Sequence, residues 1–246
     1  MKKNLIYGYH AVLEALEAEK DIDKVLFRKG LDLRSINPIR EGLRERQIPY
    51  QFVPDVKLEM LCPGRNHQGI LAFVSSVIYQ PLEEVIMMVY ESGQTPLFIL
   101  PDGVTDVRNM GAIARSAEGL GAQALIVPMQ HTARMDADAV KTSAGALNHL
   151  PVCRTPDVLA TLDLLKNSGI QLIASSDRAR KTLFEADYTA PTCILLGAED
   201  TGLSSAVLRK CDDVVAIPMF GKINSLNVSV ASGILLMEVQ RQRLNS

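Results

Sequence analysis

GKINSLNVSVASGILLMEVQRQR, residues 221–243, is the stretch that decides the fold of this chain. Two Asn and two Ser come first, and an apolar pattern with spacings of three and four follows through Val228, Ala231 and Leu235. This spacing predicts an amphipathic helix that packs one face against a core. The polar residues predict a helix start at which side chains and free backbone N–H groups face a polar partner. An ordinary capped helix has the same pattern, so the neighbouring segments decide between the two.

Two earlier segments have the same character. Residues 101–122 read PDGVTDVRNMGAIARSAEGLGA and place Arg115 six residues after Asn109. Residues 195–219 read LLGAEDTGLSSAVLRKCDDVVAIPM and contain a G-x-E-x-x-G turn around Glu199. All three segments follow apolar runs that we predict to be strands. Because ligands of parallel sheets bind beyond the carboxyl ends of the strands, the segments predict one shared site there.

Apolar runs alternate with helical patterns from residue 97 onward. The predicted strands are 97–100, 124–127, 152–154, 172–175, 193–196 and 214–217. The predicted helices between them are 109–119, 137–148, 156–167 and 204–210. Near-continuous apolar strands that alternate with helices indicate a parallel sheet covered on both faces.

The first 75 residues also alternate between helix and strand. We predict helices at 9–18, 37–47 and 58–61, and strands at 24–27, 48–53 and 70–75. The second helix should begin with Asn37 as its N-cap and Pro38 at its first position. Arg40 and Arg44 share one face of this helix, although interleaved glutamates make a plain solvated face an alternative.

These patterns predict three parts of the chain. Residues 1–76 form a small α/β domain, residues 77–95 a linker and a helix, and residues 96–246 a larger α/β domain. With 246 residues, the chain is long enough to bury substantial cores.

Composition restricts the function classes. The net charge of −2, divided as +2 for residues 1–80 and −4 for the rest, excludes a broadly basic surface. A nucleic-acid partner would therefore need a local basic site. The sequence has no membrane-length apolar run and no signal peptide, and we expect a cytoplasmic protein. Its four cysteines and four histidines show no metal-ligand spacing, so we expect reduced thiols and no metal.

Phosphate-binding and hydrolase motifs are also absent. Gly119 and Gly121 have G-x-G spacing, but they follow a helix and precede a strand, which is the wrong order for a dinucleotide site. A glycine turn at a helix C-terminus explains them better. The sequence contains neither G-x-x-x-x-G-K nor G-x-S-x-G.

The three segments together resemble, in order and spacing, the signature motifs of the SpoU-type 2'-O-ribose RNA methyltransferases, a branch of the SPOUT superfamily. The resemblance implies a C-terminal parallel-sheet domain with a trefoil knot, a rare exception among folds. It implies that S-adenosyl-L-methionine binds at Gly197, Ile217 and Leu226, and that a small N-terminal α/β domain binds RNA. Residues 7–16 and 67–72 resemble the members that methylate guanosine in large-subunit (23S) ribosomal RNA.

The resemblance also implies roles for five side chains. Arg115 would orient the RNA phosphate and polarise the 2'-oxygen, because a guanidinium offers a planar fork of donors. A charged guanidinium has no acceptor, so it does not suit the role of base. Glu199 would hold Arg115 or a backbone N–H, and Asn109 would begin the helix that carries Arg115. Ser225 and Asn227 would fix the third loop. An exposed helix arginine and simple turn or cap residues are the structural alternatives.

Further expectations concern partners. The family forms homodimers with composite active sites, which suggests an interface on the last helix around Leu236, Met237 and Val239. Packing on its own sheet alone is the alternative for that helix. Residues 65–68 are either an RNA contact or a tight surface loop. The competing functions are a tRNA 2'-O-methyltransferase and a non-catalytic RNA-binding or ribosome-assembly protein with the same fold.

Overall fold

The computed structural model describes residues 5–245, and the chain divides into two compact units. The first unit comprises Met1–Ile78 and Arg134–Ala137, and the second comprises Tyr79–Ala133 and Asp138–Ser246. Each unit has its own sheet and its own buried core.

The first unit is a four-stranded mixed sheet with helices on both faces. Its elements in chain order are β1 (Leu5–Tyr7), α1 (Tyr9–Glu17), β2 (Ile22–Arg28), α2 (Asn37–Glu45), β3 (Tyr50–Val53), α3 (Asp55–Leu61) and β4 (Ile70–Val74). The strand order is β1-β4-β2-β3, in which β4 is antiparallel to both neighbours and β2 is parallel to β3. Alternation along β2 sends Val25 and Phe27 into a core with α1 and α2, and Leu26 into a smaller core with α3. The predicted small α/β fold is confirmed.

The start of α2 differs from the prediction. Ile36, not Asn37, is the N-cap, and no side chain caps this helix. The Asn37 amide instead donates to Glu41 one turn later, at 2.8 Å. Arg46, just beyond α2, donates to the carbonyls of residues 16, 19 and 20 and so satisfies the C-terminal end of α1.

The second unit is a parallel sheet between two helical layers. Its first elements are α4 (Leu82–Glu91), β5 (Leu97–Pro101), α5 (Val107–Gly119), β6 (Ala124–Pro128), α6 (Ala137–Thr142), β7 (Val152–Thr155) and α7 (Val158–Asn167). The remaining elements are β8 (Gln171–Ser175), β9 (Lys181–Thr182), β10 (Thr192–Leu196), α8 (Ser205–Lys210), β11 (Asp213–Ala216) and α9 (Val228–Arg243). The described residues form seven parallel strands in the order β7-β6-β5-β10-β8-β11-β9. The prediction of a parallel sheet, with all six proposed strands, is confirmed.

Both faces of this sheet are apolar and covered. Phe98 and Leu100 join a core that includes residues of α4, α7 and α8. The alternate residues Leu97 and Ile99 point to the opposite face and are fully buried. Helix α9 packs against α5 and against β10, with Leu235 buried between them.

The predicted helix at 137–148 is interrupted. Helix α6 ends at Thr142, and residues 146–148 form a separate 3-10 turn. Ala144 and Gly145 have φ of 51° and 90°, which an α-helix cannot accommodate. The break faces α5, since a side chain on Gly111 would lie 2.7 Å from Thr142 and 2.8 Å from the Ala139 carbonyl.

The sheet order explains why the three segments meet. Strand β10 is bonded to β5 on one side and β8 on the other, and β11 follows β8. The first two segments begin at the ends of β5 and β10, and the third begins five residues after the end of β11. Parallel strands end at the same edge, so these segments emerge side by side.

Candidate active site

A cavity of about 770 Å³ opens at the carboxyl ends of β8, β10 and β11. Its walls come from residues 175–178, 196–203, 216–219 and 224–228. Six of the eight residues proposed from the sequence line it, namely Gly197, Glu199, Ile217, Ser225, Leu226 and Asn227. Asn109 reaches this group through hydrogen bonds, and Arg115 lies elsewhere.

The G-x-E-x-x-G turn is closed by backbone contacts. Gly202 donates its N–H to the Ala198 carbonyl at 2.9 Å and has φ of 67°. A Cβ on Gly197 would lie 2.4 Å from the Gly202 carbonyl carbon and 2.5 Å from the Leu203 nitrogen. Glycine is therefore required at 197 by close approach and favoured at 202 by its backbone conformation. The turn projects Glu199 from the wall of the cavity.

Three side chains, one from each segment, form a hydrogen-bonded triangle. Glu199 Oε1 accepts from Asn109 Nδ2 at 3.0 Å and from Asn227 Nδ2 at 2.7 Å. Asn227 Nδ2 also donates to Asn109 Oδ1 at 3.0 Å. A carboxylate that accepts two amide N–H groups is held more firmly than a neutral acceptor would be. The triangle fixes the three loops relative to one another.

Asn227 has a second role as the N-cap of α9. Its Oδ1 accepts from the Ser229 backbone N–H at 2.9 Å and from the Ser229 hydroxyl at 2.6 Å. The predicted capped start of this helix is confirmed. Because one amide group both caps the helix and donates to Glu199, the helix start and the G-x-E-x-x-G turn are directly coupled.

Helix α5 begins earlier than predicted. Its N-cap is Asp106, whose carboxylate accepts from the Arg108 backbone N–H at 2.7 Å. That hydrogen bond lowers the pKa of Asp106. Asn109 is therefore not the cap but the third residue of the helix, and its side chain is available to the triangle.

Arg115 lines a separate cavity of about 830 Å³. This second cavity lies along α5 and α9, with Phe184 and Ile234 among its walls. The Arg115 side chain is exposed, and within residues 5–245 it has no hydrogen bond or ion pair. Glu199 was expected to hold Arg115 or a backbone N–H; within this chain it accepts instead from the side chains of two asparagines.

Two neighbours of the first cavity were not proposed from the sequence. Asp102, just after β5, donates its backbone N–H to the Leu196 carbonyl, and burial raises the pKa of its carboxyl. Arg178, after β8, lines the cavity and is exposed. The sequence signal for both is their place just beyond a buried strand, since Asp102 directly follows β5 and Arg178 lies three residues after the end of β8.

Residues 65–68 form a tight loop in the first unit. His67 is buried, and its Nδ1 accepts from the Gly69 N–H at 3.0 Å. Gln68 Oε1 accepts from the Tyr9 N–H at 2.9 Å, which satisfies the start of α1. These two side chains shape the loop, whereas Arg65 and Asn66 are exposed.

The described residues hold no cluster of three metal-ligating side chains, and none of their helices is long and apolar enough to cross a bilayer. The four cysteines are free. Burial raises the pKa of Cys153 to about 12 and that of Cys211 to about 11, which makes both thiols poor nucleophiles.

Comparison with known proteins agrees with this geometry. Residues 96–237 match the model of the SpoU rRNA methylase family. This chain belongs to the SpoU rRNA methylase family. Residues 5–80 match a second model, described as RNA 2'-O ribose methyltransferase substrate binding. The resemblance drawn from the three motifs is confirmed.

Two methyltransferases from bacteria match this chain over at least 95% of their own length. The chain is 37% identical over 245 residues to the 23S rRNA (guanosine-2'-O-)-methyltransferase RlmB of Vibrio parahaemolyticus, covering 99% of each chain. It is 31% identical over 238 residues to the putative TrmH family tRNA/rRNA methyltransferase YacO of Bacillus subtilis, covering 97% of this chain and 95% of the relative. Among solved structures, the SpoU methyltransferase AviRb from Streptomyces viridochromogenes is 30% identical with a TM-score of 0.62, covering 98% and 90% of the two chains. AviRb has also been solved in complex with the cofactor AdoMet.

Proposed function

We propose that this protein transfers the methyl group of S-adenosyl-L-methionine to the 2'-hydroxyl of a guanosine ribose in 23S ribosomal RNA. The observation that carries the proposal is the cavity in which all three family motifs meet, with Asn109, Glu199 and Asn227 bonded to one another. The full-length match to guanosine-2'-O-methyltransferases of 23S rRNA supports the choice of substrate.

The first cavity suits the cofactor. Its volume of about 770 Å³ lies within the usual range for small-molecule sites, roughly 300–1,000 Å³. Gly197, Ile217 and Leu226 would hold the cofactor, largely through backbone groups at the loops that follow β10 and β11. When bound, S-adenosyl-L-methionine supplies a methyl group on a sulfonium centre that is open to in-line displacement. The residues of the triangle hold the loops around it, and Ser225 lies on the same wall.

Arg115 would position the RNA rather than accept its proton. A guanidinium has only hydrogen-bond donors and no acceptor, so its chemistry suits binding a phosphate rather than taking up a proton. Bidentate bonds to a phosphate would orient the ribose, and positioning of this kind lowers barriers substantially. Because Arg115 lines the second cavity, we propose that it serves the first cavity of a second copy of the chain.

A homodimer would bring Arg115 of one copy to the first cavity of the other copy. Val230, Ile234 and Met237 are 50%, 36% and 52% exposed and follow one face of α9 beside Arg115. Phe184, 63% exposed, lies on the same cavity wall. Leu236 and Val239, which the sequence also suggested for this interface, are fully buried within their own unit, so only Met237 of the three remains available.

Light scattering should give a dimer mass for the wild type and a monomer mass for Ile234→Arg. A dimeric Ile234→Arg variant would contradict this interface.

The division of labour would follow the predicted domains. We propose that residues 1–76 hold the RNA, that residues 77–95 connect the two parts, and that residues 96–246 bind the cofactor and carry out transfer. The substrate-binding family model that covers residues 5–80 supports the first assignment.

Two assays test the function. Calorimetry with S-adenosylhomocysteine should show binding, and its absence would favour a non-catalytic RNA-binding protein. Total RNA from a strain that lacks the gene should gain a 2'-O-methyl group, mapped to one guanosine of 23S rRNA, when the purified protein is added. A site in tRNA would overturn the rRNA assignment.

Arg115→Ala and Arg115→Lys should both lose most of the activity, since lysine lacks the planar fork. Full activity in either variant would remove Arg115 from the mechanism.

We also propose that the second unit carries the trefoil knot of its family. The position of β10 between β5 and β8, and the return of α9 to α5, support this proposal. An experimental backbone trace through residues 197–243 tests it directly.

We propose a cytoplasmic location, because the proposed substrate is ribosomal RNA and the four cysteines are unpaired. Recovery of the protein in the cytoplasmic fraction of lysed cells is the expected result, and recovery outside it would contradict the proposal.

A further inference from the structure

The loop between β11 and α9 has a middle part that does not line the cavity. Residues 216–219 and 224–228 lie on the cavity wall, and residues 220–223 join them. We call residues 220–223 the rim loop. Its sequence is Phe-Gly-Lys-Ile, and all four residues are exposed.

Phe220 is 97% exposed, more than any other large hydrophobic side chain in the described residues. Ile223, on the same loop, is 72% exposed. Leaving a phenylalanine in water forgoes most of the stabilisation that burial of such a side chain brings. A connection that served the fold alone would be expected to carry polar turn residues here. The exposed apolar side chains of the rim loop therefore indicate a binding surface.

The charges around the rim favour a nucleic acid. Lys222 lies two residues from Phe220 and is exposed. Arg178, which lines the cavity, is also exposed, and within residues 5–245 neither the Lys222 ammonium nor the Arg178 guanidinium has a hydrogen bond or ion pair. Asp177 and Asp200 also line the cavity and are exposed, so their carboxylates would repel a phosphate from the cavity wall, whereas Lys222 lies outside that lining. A phosphate is therefore better accommodated on the side of Lys222.

The geometry of methylation places RNA bases near this rim. When the 2'-oxygen of a ribose reaches the cavity, the base of that nucleotide lies near the cavity mouth. The bases of the adjoining nucleotides lie near the mouth as well. Sequence-specific RNA recognition commonly stacks unpaired bases on aromatic side chains. We propose that Phe220 is the stacking platform for a base of the substrate RNA at or next to the methylated nucleotide, and that Lys222 contacts the adjoining phosphate. This inference rests on the proposed function and adds a positioning residue to it.

Phe220→Leu is the decisive variant, because it keeps apolar bulk and removes the aromatic face. Phe220→Tyr keeps the face, and Ile223→Ala is the matched control on the same loop. Total rRNA from the deletion strain serves as substrate with labelled S-adenosyl-L-methionine, and filter binding measures RNA affinity separately. Phe220→Leu should raise KM and the RNA Kd on the order of tenfold, the expected loss of one stacked base. The kcat should change little, because the stack forms before the transition state. Phe220→Tyr and Ile223→Ala should behave like the wild type.

Lys222→Ala tests the phosphate contact. It should weaken RNA binding and reduce the slope of log affinity against log salt by about one. S-adenosylhomocysteine affinity and dimer mass should stay unchanged in every rim-loop variant, because these residues do not line the cofactor cavity.

Three results would overturn the inference. RNA affinity of Phe220→Leu equal to the wild type would remove the stack. An equal loss in Ile223→Ala would indicate general packing rather than stacking. A monomeric Phe220→Leu would make the ring an interface with a second copy. If the wild type binds RNA through Phe220 but methylates none, the proposed function fails and the stacking platform stands.

Discussion

At the scale of single residues, Gly197 has the strictest requirement. A side chain there would meet backbone atoms of residues 202 and 203 at 2.4–2.8 Å, and backbone cannot move aside as a flexible side chain can. We expect Gly197→Ala to open the turn, lower stability by about 1–3 kcal/mol and weaken S-adenosylhomocysteine binding. Gly119→Ala is the matched control, because no atom lies within 4 Å of its Cβ position. Thermal unfolding and calorimetry measure both effects, and normal binding by Gly197→Ala would contradict this account of the turn.

Asn227 allows its two roles to be separated by substitution. Asn227→Ser keeps an N-cap acceptor but loses the amide donor to Glu199, whereas Asn227→Ala loses both. A lost cap costs about 1 kcal/mol, so the alanine variant should unfold at a lower temperature than the serine variant. Both variants should lose methylation to a similar extent, since both release Glu199. Activity retained by Asn227→Ser alone would show that the cap, and not the triangle, matters for catalysis.

Seven of the eight residues proposed from the sequence gather at the first cavity, but the sequence did not predict which side chains bond to one another. Motif spacing places Asn109, Glu199 and Asn227 after strand ends, and that is enough to predict a shared cavity. The proposed pairing of Glu199 with Arg115 ignored the direction of side chains around a helix. Six residues at about 100° each amount to about 600°, which is roughly 120° short of two full turns. Asn109 and Arg115 therefore point in different directions from the helix axis, Asn109 towards the triangle and Arg115 towards the second cavity.

At the scale of elements, α9 carries an ion pair between a buried Glu238 and an Arg241 that is more than half exposed. The Glu238 side chain is 5% exposed and accepts from Arg241 at 2.7 Å and from Gln242 at 2.9 Å. These bonds, led by Arg241, hold the pKa of Glu238 below its ordinary 4.5. The carboxylate therefore contributes stability above about pH 4.5, and that contribution is lost as the pH falls through the lower folded-state pKa.

Glu238→Gln should reveal this contribution. At pH 7 we expect a loss of about 1 kcal/mol, less than for a fully buried charged hydrogen bond, because Arg241 is more than half exposed to solvent. The loss corresponds to about 2–4 °C in Tm for a chain of this size. The gap between the two Tm values should close as the pH is lowered from 5 to 3. Glu118→Gln, an exposed change on α5, should show no such closing. A constant gap would mean that packing, not charge, accounts for the difference.

Element boundaries were predictable where a pattern was long. The six proposed strands of the second sheet are all present, and four of them are runs of four apolar residues, a pattern typical of strands that are buried on both faces. Strand β9, with two residues, and β1, with three, carry too few side chains for a period to appear. The break after α6 was missed because Ala144 favours helix by propensity, whereas in the structure its φ is 51°.

At the scale of the whole molecule, the open question is whether Arg115 serves the cofactor cavity of its own chain or that of a second copy. Both belong to the second unit, yet they line different cavities, and an exposed apolar stripe lies beside Arg115. In a two-fold dimer each active site would take the cavity from one protomer and Arg115 from the other. A chain that worked alone would need Arg115 to reach its own cavity.

Mixed dimers distinguish these two arrangements. Arg115→Ala can be co-expressed with a cavity variant from the Gly197 or Asn227 series that no longer binds S-adenosylhomocysteine, each chain carrying its own affinity tag. If sites are shared, one site of the mixed dimer combines two defects and the other combines the intact Arg115 with the intact cavity. Tandem-purified mixed dimers should then recover about half of the wild-type activity, because one of two symmetric sites is complete. If each chain works alone, both sites carry a defect and the mixed dimer is as inactive as its parents. Mixed dimers with Arg115→Ala in both chains control for purification and should stay inactive, so recovered activity can only come from a site built by two protomers.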